Sequence, residues 1–298
     1  MSFRRWLALP ALLTLPLLLG VANEYATARA SRRTADLAYV PATDTAYDAQ
    51  RHRLDVYAPR TRPTAPRAVV VFIHGGSWNS GNKNFYSFIG RRLAKQGVVA
   101  VVINYRLAPQ VRVPQMADDC VRAVLWVQAH IGEYGGDAQR IYLMGHSAGG
   151  GLAALLATDD ALFARRGQLQ NPVRGTILDD PAGLDMYDYL QRMEYPNDAQ
   201  YLVPFGPDSA GWRQVSALYH LRADSPPCLL FVGGKTYPSI RRSSEKFRQQ
   251  LAALGAPPVF TPMPGKTHVA MVLQLYWADN LIYQRLLPFV GAEQPTTN

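Results

Sequence analysis

The chain has little cysteine and no pattern that binds a metal. Only two of its 298 residues are cysteines, Cys120 and Cys228, which excludes the bridge-rich framework of small secreted domains. Cys120 falls in a predicted amphipathic helix and Cys228 in a predicted core strand, so we expect both to be buried thiols. There is no C-x-x-C pair, H-E-x-x-H helix or EF-hand loop. The sequence therefore predicts neither a metal nor another cofactor.

Charged residues are also scarce, at 18% of the chain, although Lys and Arg exceed Asp and Glu by 31 to 22 for a net charge of +9. The arginines are scattered, and no basic run is interleaved with aromatic residues as in nucleic-acid-binding segments. We therefore expect no nucleic-acid partner. The sequence sets no oligomeric state.

Linkers, repeats and low-complexity tracts are absent from the sequence. With 48% hydrophobic residues, the chain can bury one large core, and we expect a single domain over 31–298. Residues 1–30 differ, because Arg4 and Arg5 precede an apolar stretch that is followed by small-x-small cleavage sites. This pattern predicts a signal peptide and export to the periplasm or the medium. An uncleaved N-terminal anchor is the alternative, and it is the only way in which we expect membrane contact.

Apolar runs alternate with stretches of helical spacing along the rest of the chain. Residues 52–59 alternate apolar and polar, which predicts a half-buried antiparallel strand near a sheet edge. Continuous apolar runs predict buried strands at 68–73 and 98–103, and residues 228–232 are predicted to form a core strand. Further strands are predicted at 140–144, 173–178 and 259–263. Helical spacing predicts helices at 84–96, 114–131 and 243–254, with a closing helical region at 270–290. This order predicts an α/β fold with a mostly parallel sheet and helices on both faces. Residues 184–222 break the rhythm and are expected to form an excursion over the sheet edge.

The central motif is Gly-His-Ser-Ala-Gly at 145–149, which follows a short aliphatic run and precedes small residues and leucines at helical spacing. In such a strand–turn–helix context, G-x-S-x-G predicts a nucleophile elbow. The serine is held at a strained turn, and flanking glycines keep the strand and the helix from colliding with it. Ser147 is therefore the predicted nucleophile, and the alternative is an ordinary glycine-rich turn.

A second motif, His-Gly-Gly-Ser-Trp at 74–78, follows the first predicted buried strand. Together with Gly-His-Ser-Ala-Gly-Gly at 145–150, it resembles the α/β-hydrolase superfamily over about residues 50–290, in its esterase and kynurenine-formamidase-like branch. The resemblance implies the α/β-hydrolase fold and an oxyanion hole built from the backbone amides of Gly75, Gly76 and Ala148. Fixed amide dipoles of this kind stabilise a developing oxyanion without reorganising.

The resemblance also places a catalytic histidine on the loop after the last strand. Of the six histidines, His268 lies there, and it satisfies the chain order serine, acid, histidine. His74 and His146 belong to the two motifs, where we expect them to orient loops by hydrogen bonding.

The acid departs from the family pattern. Similar enzymes carry an Asp or Glu shortly after the strand at 228–232, but residues 233–239 contain no carboxylate, and Thr236 stands at the expected position. A hydroxyl cannot offset the charge of an imidazolium. The preceding strand ends in Leu-Asp-Asp-Pro-Ala-Gly at 178–183, similar to the place where pancreatic-type lipases carry their acid. Asp180 is therefore the predicted acid, with Asp179 second and Asp185 third. The alternative is that these aspartates are turn and cap residues.

These residues predict a serine hydrolase that cleaves short-chain or aryl carboxylic esters of small molecules. Trp78 and the tyrosine-rich segment 187–219 are expected to line the substrate pocket. An arylformamidase is the second hypothesis, suggested by the 74–78 loop. A catalytically silent binding protein of the same fold is the third, suggested by the missing late acid.

Overall fold

The computed structural model describes residues 30–61 and 64–292. The predicted signal segment therefore lies outside the described residues, except for Ala30. Within the described ranges, none of the helices combines the length and the apolar character needed to cross a bilayer.

Eight strands form one sheet in the order β1-β2-β4-β3-β5-β6-β7-β8. Strands β1 and β2 run antiparallel to their neighbours, and β3 to β8 are mutually parallel. The strands span the following residues: β1 Ser31–Ala38, β2 Arg53–Pro59, β3 Arg67–Ile73, β4 Val99–Ile103, β5 Gly136–His146, β6 Val173–Asp179, β7 Cys228–Lys235 and β8 Val259–Thr267.

Helices cover both faces of this sheet. They are α1 Ser87–Lys95, α2 Val113–His130, α3 Ala148–Thr158, α4 Ala161–Ala164, α5 Met186–Arg192, α6 Leu202–Phe205, α7 Ser209–Gln214, α8 Pro238–Ala253, α9 His268–Leu273 and α10 Leu281–Phe289. Helices α2, α3 and α8 contribute to the core on one face. Helices α1, α9 and α10 contribute to the core on the other face. The predicted fold class is confirmed, and Cys120 and Cys228 are both free, buried thiols.

The antiparallel strand near a sheet edge that the sequence predicts at 52–59 is confirmed as β2, but the expectation that it is half-buried is wrong. Strand β2 is buried along its middle, Asp55 included, and helix α1 packs closely on it, since a Cβ on Gly90 would lie 2.3 Å from the Tyr57 ring. Strand β1 pairs with its outer side and forms the true edge. The Asp55 carboxylate accepts hydrogen bonds from Arg33 and from the buried Lys83, each at 2.7 Å. The polar position of the alternating pattern was therefore interpreted as exposed, although the Asp55 carboxylate is buried with its cationic partners.

Three other boundaries differ from the sequence-based expectations. Helix α8 begins at Pro238 rather than at residue 243, because a proline is well suited to the first turn. The closing region at 270–290 is two helices, and Asn280 caps the second by accepting from the Tyr283 amide at 3.0 Å. Residues 184–222 form five short helical segments, and the Leu218 amide donates to the Leu184 carbonyl at 3.0 Å, which ties the two ends of this excursion together.

The order of the strands decides where a site can form. The chain passes from β3 outward to β4 and then returns to the other side of β3 with β5. The loops that leave the carboxyl ends of β3 and β5 therefore diverge, and such a switch point is where open α/β sheets bind ligands. The 74–78 loop follows β3 and Ser147 follows β5, so both predicted motifs lie at this crevice.

Removing the charge of Asp55 tests the buried ion cluster. Asp55→Asn leaves the Lys83 ammonium buried with only the exposed Asp36 as a close carboxylate. We expect a loss of about 3 kcal/mol in the free energy of unfolding, because the buried Lys83 ammonium loses its buried carboxylate partner and keeps only an exposed one. Urea denaturation measures it. Asp118→Asn, which breaks an exposed pair with Arg166, is the matched control and should cost less than about 1 kcal/mol. Equal losses would contradict this account.

Candidate active site

Ser147 occupies a strained turn between β5 and α3. Its backbone has φ 54° and ψ −125°, a region that L-residues rarely adopt. The neighbouring glycines have no room for side chains, because a Cβ on Gly145 would lie 2.2 Å from the Gly149 carbonyl oxygen, and one on Gly149 would lie 2.0 Å from that of Ile73. This geometry is a nucleophile elbow.

His268 connects the serine to a carboxylate. Its Nε2 lies 2.8 Å from Ser147 Oγ, and its Nδ1 lies 2.6 Å from Asp180 Oδ2. A carboxylate only accepts hydrogen bonds, so Nδ1 carries the proton and Nε2 is left free to accept from the serine hydroxyl. The three side chains come from the carboxyl ends of β5, β6 and β8. The arrangement can therefore move a proton from the serine to the imidazole.

The structure brings Asp180 to His268, and neither of the other two candidate acids has a hydrogen bond to that ring among the described residues. Asp185 accepts from the Asp188 amide and the Tyr219 hydroxyl, and it pairs with Lys246 at 2.9 Å. It is thus a helix cap and a structural ion-pair partner.

Asp179 has no hydrogen-bond partner for either side-chain oxygen among the described residues, and it is completely buried. Burial, followed by the charge of Asp180, raises the pKa of the Asp179 carboxyl well above its ordinary value. We therefore expect the Asp179 carboxyl to be neutral at pH 7.

The histidines of the two motifs orient loops, as the sequence analysis expected. Burial and then the charge of His268 lower the pKa of His146 to about 4, so its ring is neutral at pH 7. Its Nε2 lies 3.0 Å from the His268 carbonyl oxygen, which can only accept, and therefore donates to it. Burial likewise lowers the pKa of His74 to about 4, and Nδ1 of His74 donates to the Gly75 carbonyl at 2.8 Å.

The 74–78 loop lies directly against the elbow. A Cβ on Gly75 would lie 2.9 Å from the His146 carbonyl oxygen and 3.0 Å from the Ser147 Cβ. Gly76, Ser77 and Trp78 all have positive φ angles. Both the Asn79 and Ser80 amides donate to the Gly76 carbonyl, which holds this strained turn in place.

The predicted oxyanion donors differ in their surroundings. The amide of Ala148 is the first of helix α3, where helix amides have no partner within the helix and the helix dipole favours negative charge. The Gly75 amide contacts the Tyr86 hydroxyl, whose pKa is raised by burial and lowered in part by this backbone hydrogen bond. Gly76 contributes an amide in the adjacent strained turn.

A cavity of about 480 Å³ opens onto Ser147 and His268. Trp78 lines it, with its ring packed edge-on against Phe205 at 4.7 Å between centroids. The excursion contributes Tyr189, Tyr195 and Tyr201 to the wall. Its other aromatic residues have structural roles, as in Trp212, whose ring N–H donates to the Gly206 carbonyl at 2.8 Å.

Sequence reasoning missed two contacts at this site. Tyr237 lines the cavity and packs edge-on against the His268 ring at 5.2 Å. The Gly233 amide donates to Asp180 Oδ1 at 2.8 Å. No pattern in a single sequence marks either residue, because the first contact depends on how β7 and β8 are aligned and the second on how β6 and β7 are aligned. Within the described ranges, no group of His, Cys, Asp and Glu could hold a metal ion.

Comparison with known proteins gives consistent matches. Residues 54–251 match the model of the BD-FAE family, an α/β-hydrolase family. The chain is 33% identical over 246 residues to a probable isoprenylcysteine alpha-carbonyl methylesterase of Arabidopsis thaliana, covering 76% of this chain and 50% of that protein. It is 28% identical to esterase LipC of Mycobacterium tuberculosis, covering 72% of this chain and 56% of that protein. The chain thus spans about half the length of these relatives.

A solved structure of esterase B from Lactobacillus rhamnosis, inhibited by a tributyrin phosphonate, superposes with a TM-score of 0.74. The match covers 95% of this chain and 94% of that one, at 22% sequence identity. At this identity the likeness concerns the fold.

The raised pKa of Asp179 predicts how the stability of the fold depends on pH. The folded carboxyl keeps its proton, whereas the unfolded one releases it above about pH 4. The stability tied to this proton is therefore complete below that pH and is lost as the pH rises toward the raised pKa. Because Asn cannot ionise, the Tm of Asp179→Asn minus that of the wild type should increase from pH 4 to pH 8. Thermal unfolding across this range measures the difference.

Asp224→Asn is the control, because Asp224 is 82% exposed. Its Tm difference from the wild type should stay nearly constant with pH. A Tm difference for Asp179→Asn that does not change with pH would show that Asp179 is ionised in the folded protein.

Proposed function

Since the chain belongs to the BD-FAE family, an α/β-hydrolase family, we propose that it is a serine hydrolase that cleaves carboxylic esters of small molecules through an acyl-enzyme. The observation that carries this proposal is the continuous line of hydrogen bonds from Ser147 through His268 to Asp180. The names of both relatives and of the superposed structure denote ester hydrolases, which supports the same class.

The proposed reaction begins when His268 Nε2 removes the Ser147 proton as Oγ attacks the ester carbonyl carbon. Asp180 stabilises the imidazolium that forms, and the carbonyl oxygen becomes an oxyanion that accepts from the amides of Gly76 and Ala148, because the Gly75 amide already donates to the Tyr86 hydroxyl. The tetrahedral intermediate collapses, His268 returns its proton to the departing alcohol, and the acyl group stays on Oγ.

Deacylation repeats these steps with water. His268 removes a proton from a water molecule, which attacks the acyl carbon, and the second oxyanion uses the same amides. Collapse releases the carboxylic acid and returns the proton to Ser147 Oγ.

The cavity wall favours a short-chain or aryl ester. Trp78 and three tyrosines supply aromatic surface close to Ser147, as is typical of pockets that bind small organic groups. The arylformamidase hypothesis depends only on the resemblance of the 74–78 loop, and ester-hydrolase relatives do not favour it. The silent-protein hypothesis depended on the missing late acid, and a carboxylate on His268 Nδ1 removes that reason.

The proposal extends to location. The positive residues, the apolar stretch and the small-residue cleavage sites of residues 1–30 support export to the periplasm or the medium, or retention through an uncleaved anchor. N-terminal sequencing of the protein recovered from outside the cytoplasm would distinguish a cleaved chain from an anchored one.

The two adjacent aspartates give a matched test of the proton relay. Asp180→Asn should lower kcat for p-nitrophenyl acetate by about 10² or more, because the neutral amide cannot stabilise the imidazolium. Asp179→Asn should keep kcat near that of the wild type, because Asp179 is already neutral. Steady-state kinetics with Ser147→Ala as the inactive reference measures both. Full turnover by Asp180→Asn would remove Asp180 from the mechanism.

The bond that is cleaved can be tested by a substrate pair. We expect p-nitrophenyl acetate to be hydrolysed with a kcat/KM well above that for N-formylaniline, and both activities to be lost in Ser147→Ala. Preference for the formamide would instead assign the chain to the arylformamidase class. An absence of turnover on every ester of an acyl-chain panel would favour the silent protein.

A further inference from the structure

Thr236 lies next to the proposed triad but is not one of its three residues. It follows the end of β7, is 7% exposed, and its hydroxyl donates to Asp180 Oδ2. That oxygen is the one that faces His268 Nδ1. The hydroxyl is therefore bonded to the atom on which the imidazole depends.

Three donors hold the Asp180 carboxylate. The Gly233 amide donates to Oδ1 at 2.8 Å, whereas the Thr236 hydroxyl and His268 Nδ1 donate to Oδ2. The Thr236 amide donates to the Gly233 carbonyl at 3.2 Å, so one tight turn after β7 presents both a backbone donor and a side-chain donor to the same carboxylate.

This turn compensates for a torsion that the Asp180 side chain does not fix by itself. The final torsion of an aspartate joins sp³ and sp² carbons and has a broad energy profile, so an unrestrained carboxylate rotates over a wide range. Donors on both oxygens select one plane, and the plane observed directs Oδ2 at the imidazole. A backbone bond from the Asp180 amide to the Phe231 carbonyl, 2.9 Å long, holds the base of the side chain.

Thr236 reaches the imidazole only indirectly. Its Oγ1 lies 3.5 Å from His268 Nδ1, at the limit of a hydrogen bond. The Nδ1 proton already points at Asp180, and the single hydroxyl proton of Thr236 is given to the same carboxylate. Any effect of Thr236 on His268 must therefore pass through Asp180.

We infer that Thr236 is a positioning residue for the proposed ester hydrolysis, on which this inference rests: its hydroxyl fixes the Asp180 carboxylate in the plane that orients His268 toward Ser147. Thr236, at the position where related enzymes carry the acid, thus holds in place Asp180, the acid that follows the preceding strand β6. Gly233 and Thr236 act as a pair, one on each carboxylate oxygen.

Two substitutions separate the hydroxyl from packing. Thr236→Val keeps the shape and loses the donor, whereas Thr236→Ser keeps the donor and loses a methyl group. We expect Thr236→Val to lower kcat for p-nitrophenyl acetate about tenfold with little change in KM, because it removes a hydrogen bond to a charged group that matters in the transition state. Thr236→Ser should retain near wild-type kcat. Thr236→Ala is the second donor-free variant if Thr236→Val does not fold.

A double-mutant cycle then tests whether Thr236 acts through Asp180. In an Asp180→Asn background, Thr236→Val should lower kcat no further, because there is no carboxylate left to position. A structural contribution alone would lower kcat by the same factor in both backgrounds. That result would overturn the inference, as would a Thr236→Val variant with wild-type kcat or a Thr236→Ser variant as slow as Thr236→Val.

The same assay distinguishes failure of the inference from failure of the proposed function. A wild-type chain that does not turn over the ester, or a Ser147→Ala variant that still does, would overturn the proposed function and the inference with it. An active wild type whose Thr236→Val variant is equally active would overturn only the role of Thr236.

Discussion

The 2.6 Å contact between Asp180 Oδ2 and His268 Nδ1 is the interaction on which the rest of the site depends. It places the imidazole proton on Nδ1 and thereby leaves Nε2 as the acceptor for Ser147. It also supplies a buried negative charge next to the ring that becomes positive during acylation. Without this contact, the strained serine and the oxyanion amides would face a histidine with no defined tautomer.

The sheet makes this contact possible by bringing distant parts of the chain to one edge. Ser147, Asp180, Thr236 and His268 follow four neighbouring parallel strands, so their loops emerge side by side. Strained backbone conformations are concentrated at the same edge of the sheet. Of the six non-glycine residues with positive φ within the described ranges, four lie here: Ser77, Trp78, Ser147 and Asp180. Such backbone conformations cost energy and persist only where the surroundings hold them, as the close packing of the 74–78 loop against the elbow does.

The features that the sequence predicted are those that depend on residues close together in the chain. The elbow and the 74–78 loop each lie within a few residues of a strand end. Both contain glycines, because the backbone there packs too closely for a side chain, and short sequence motifs could therefore identify them. Strands β3 and β4 were predictable because burial on both faces leaves a continuous apolar run. Strand β1 was missed because it is an exposed edge with a polar sequence, Ser-Arg-Arg-Thr-Ala-Asp-Leu-Ala. The burial of β2 was missed because Asp55 finds its partners in Arg33 and Lys83, far away in sequence.

The acid shows the same limit most clearly. Asp179 and Asp180 are adjacent and chemically identical in the sequence. Both are buried, yet Asp179 has no hydrogen-bond partner among the described residues, whereas the Asp180 carboxylate accepts from three donors. The resemblance indicated that this strand carries the acid. Which of the two aspartates reaches His268 depends on the direction of each side chain, which the sequence does not give. The sequence shows Thr236 at the position where similar enzymes carry a carboxylate. Its contact with Asp180 could not be predicted, because it depends on the three-dimensional arrangement of the strand ends.

The most direct measurement of the central claim is the site and rate of covalent labelling by a fluorophosphonate. The line from Asp180 through His268 predicts a single adduct on Ser147 in the intact protein, identified by peptide mass spectrometry. It also predicts that labelling slows by about 10² or more in Asp180→Asn, because the serine is no longer activated. Labelling at another residue, or an equal rate in both proteins, would contradict the account.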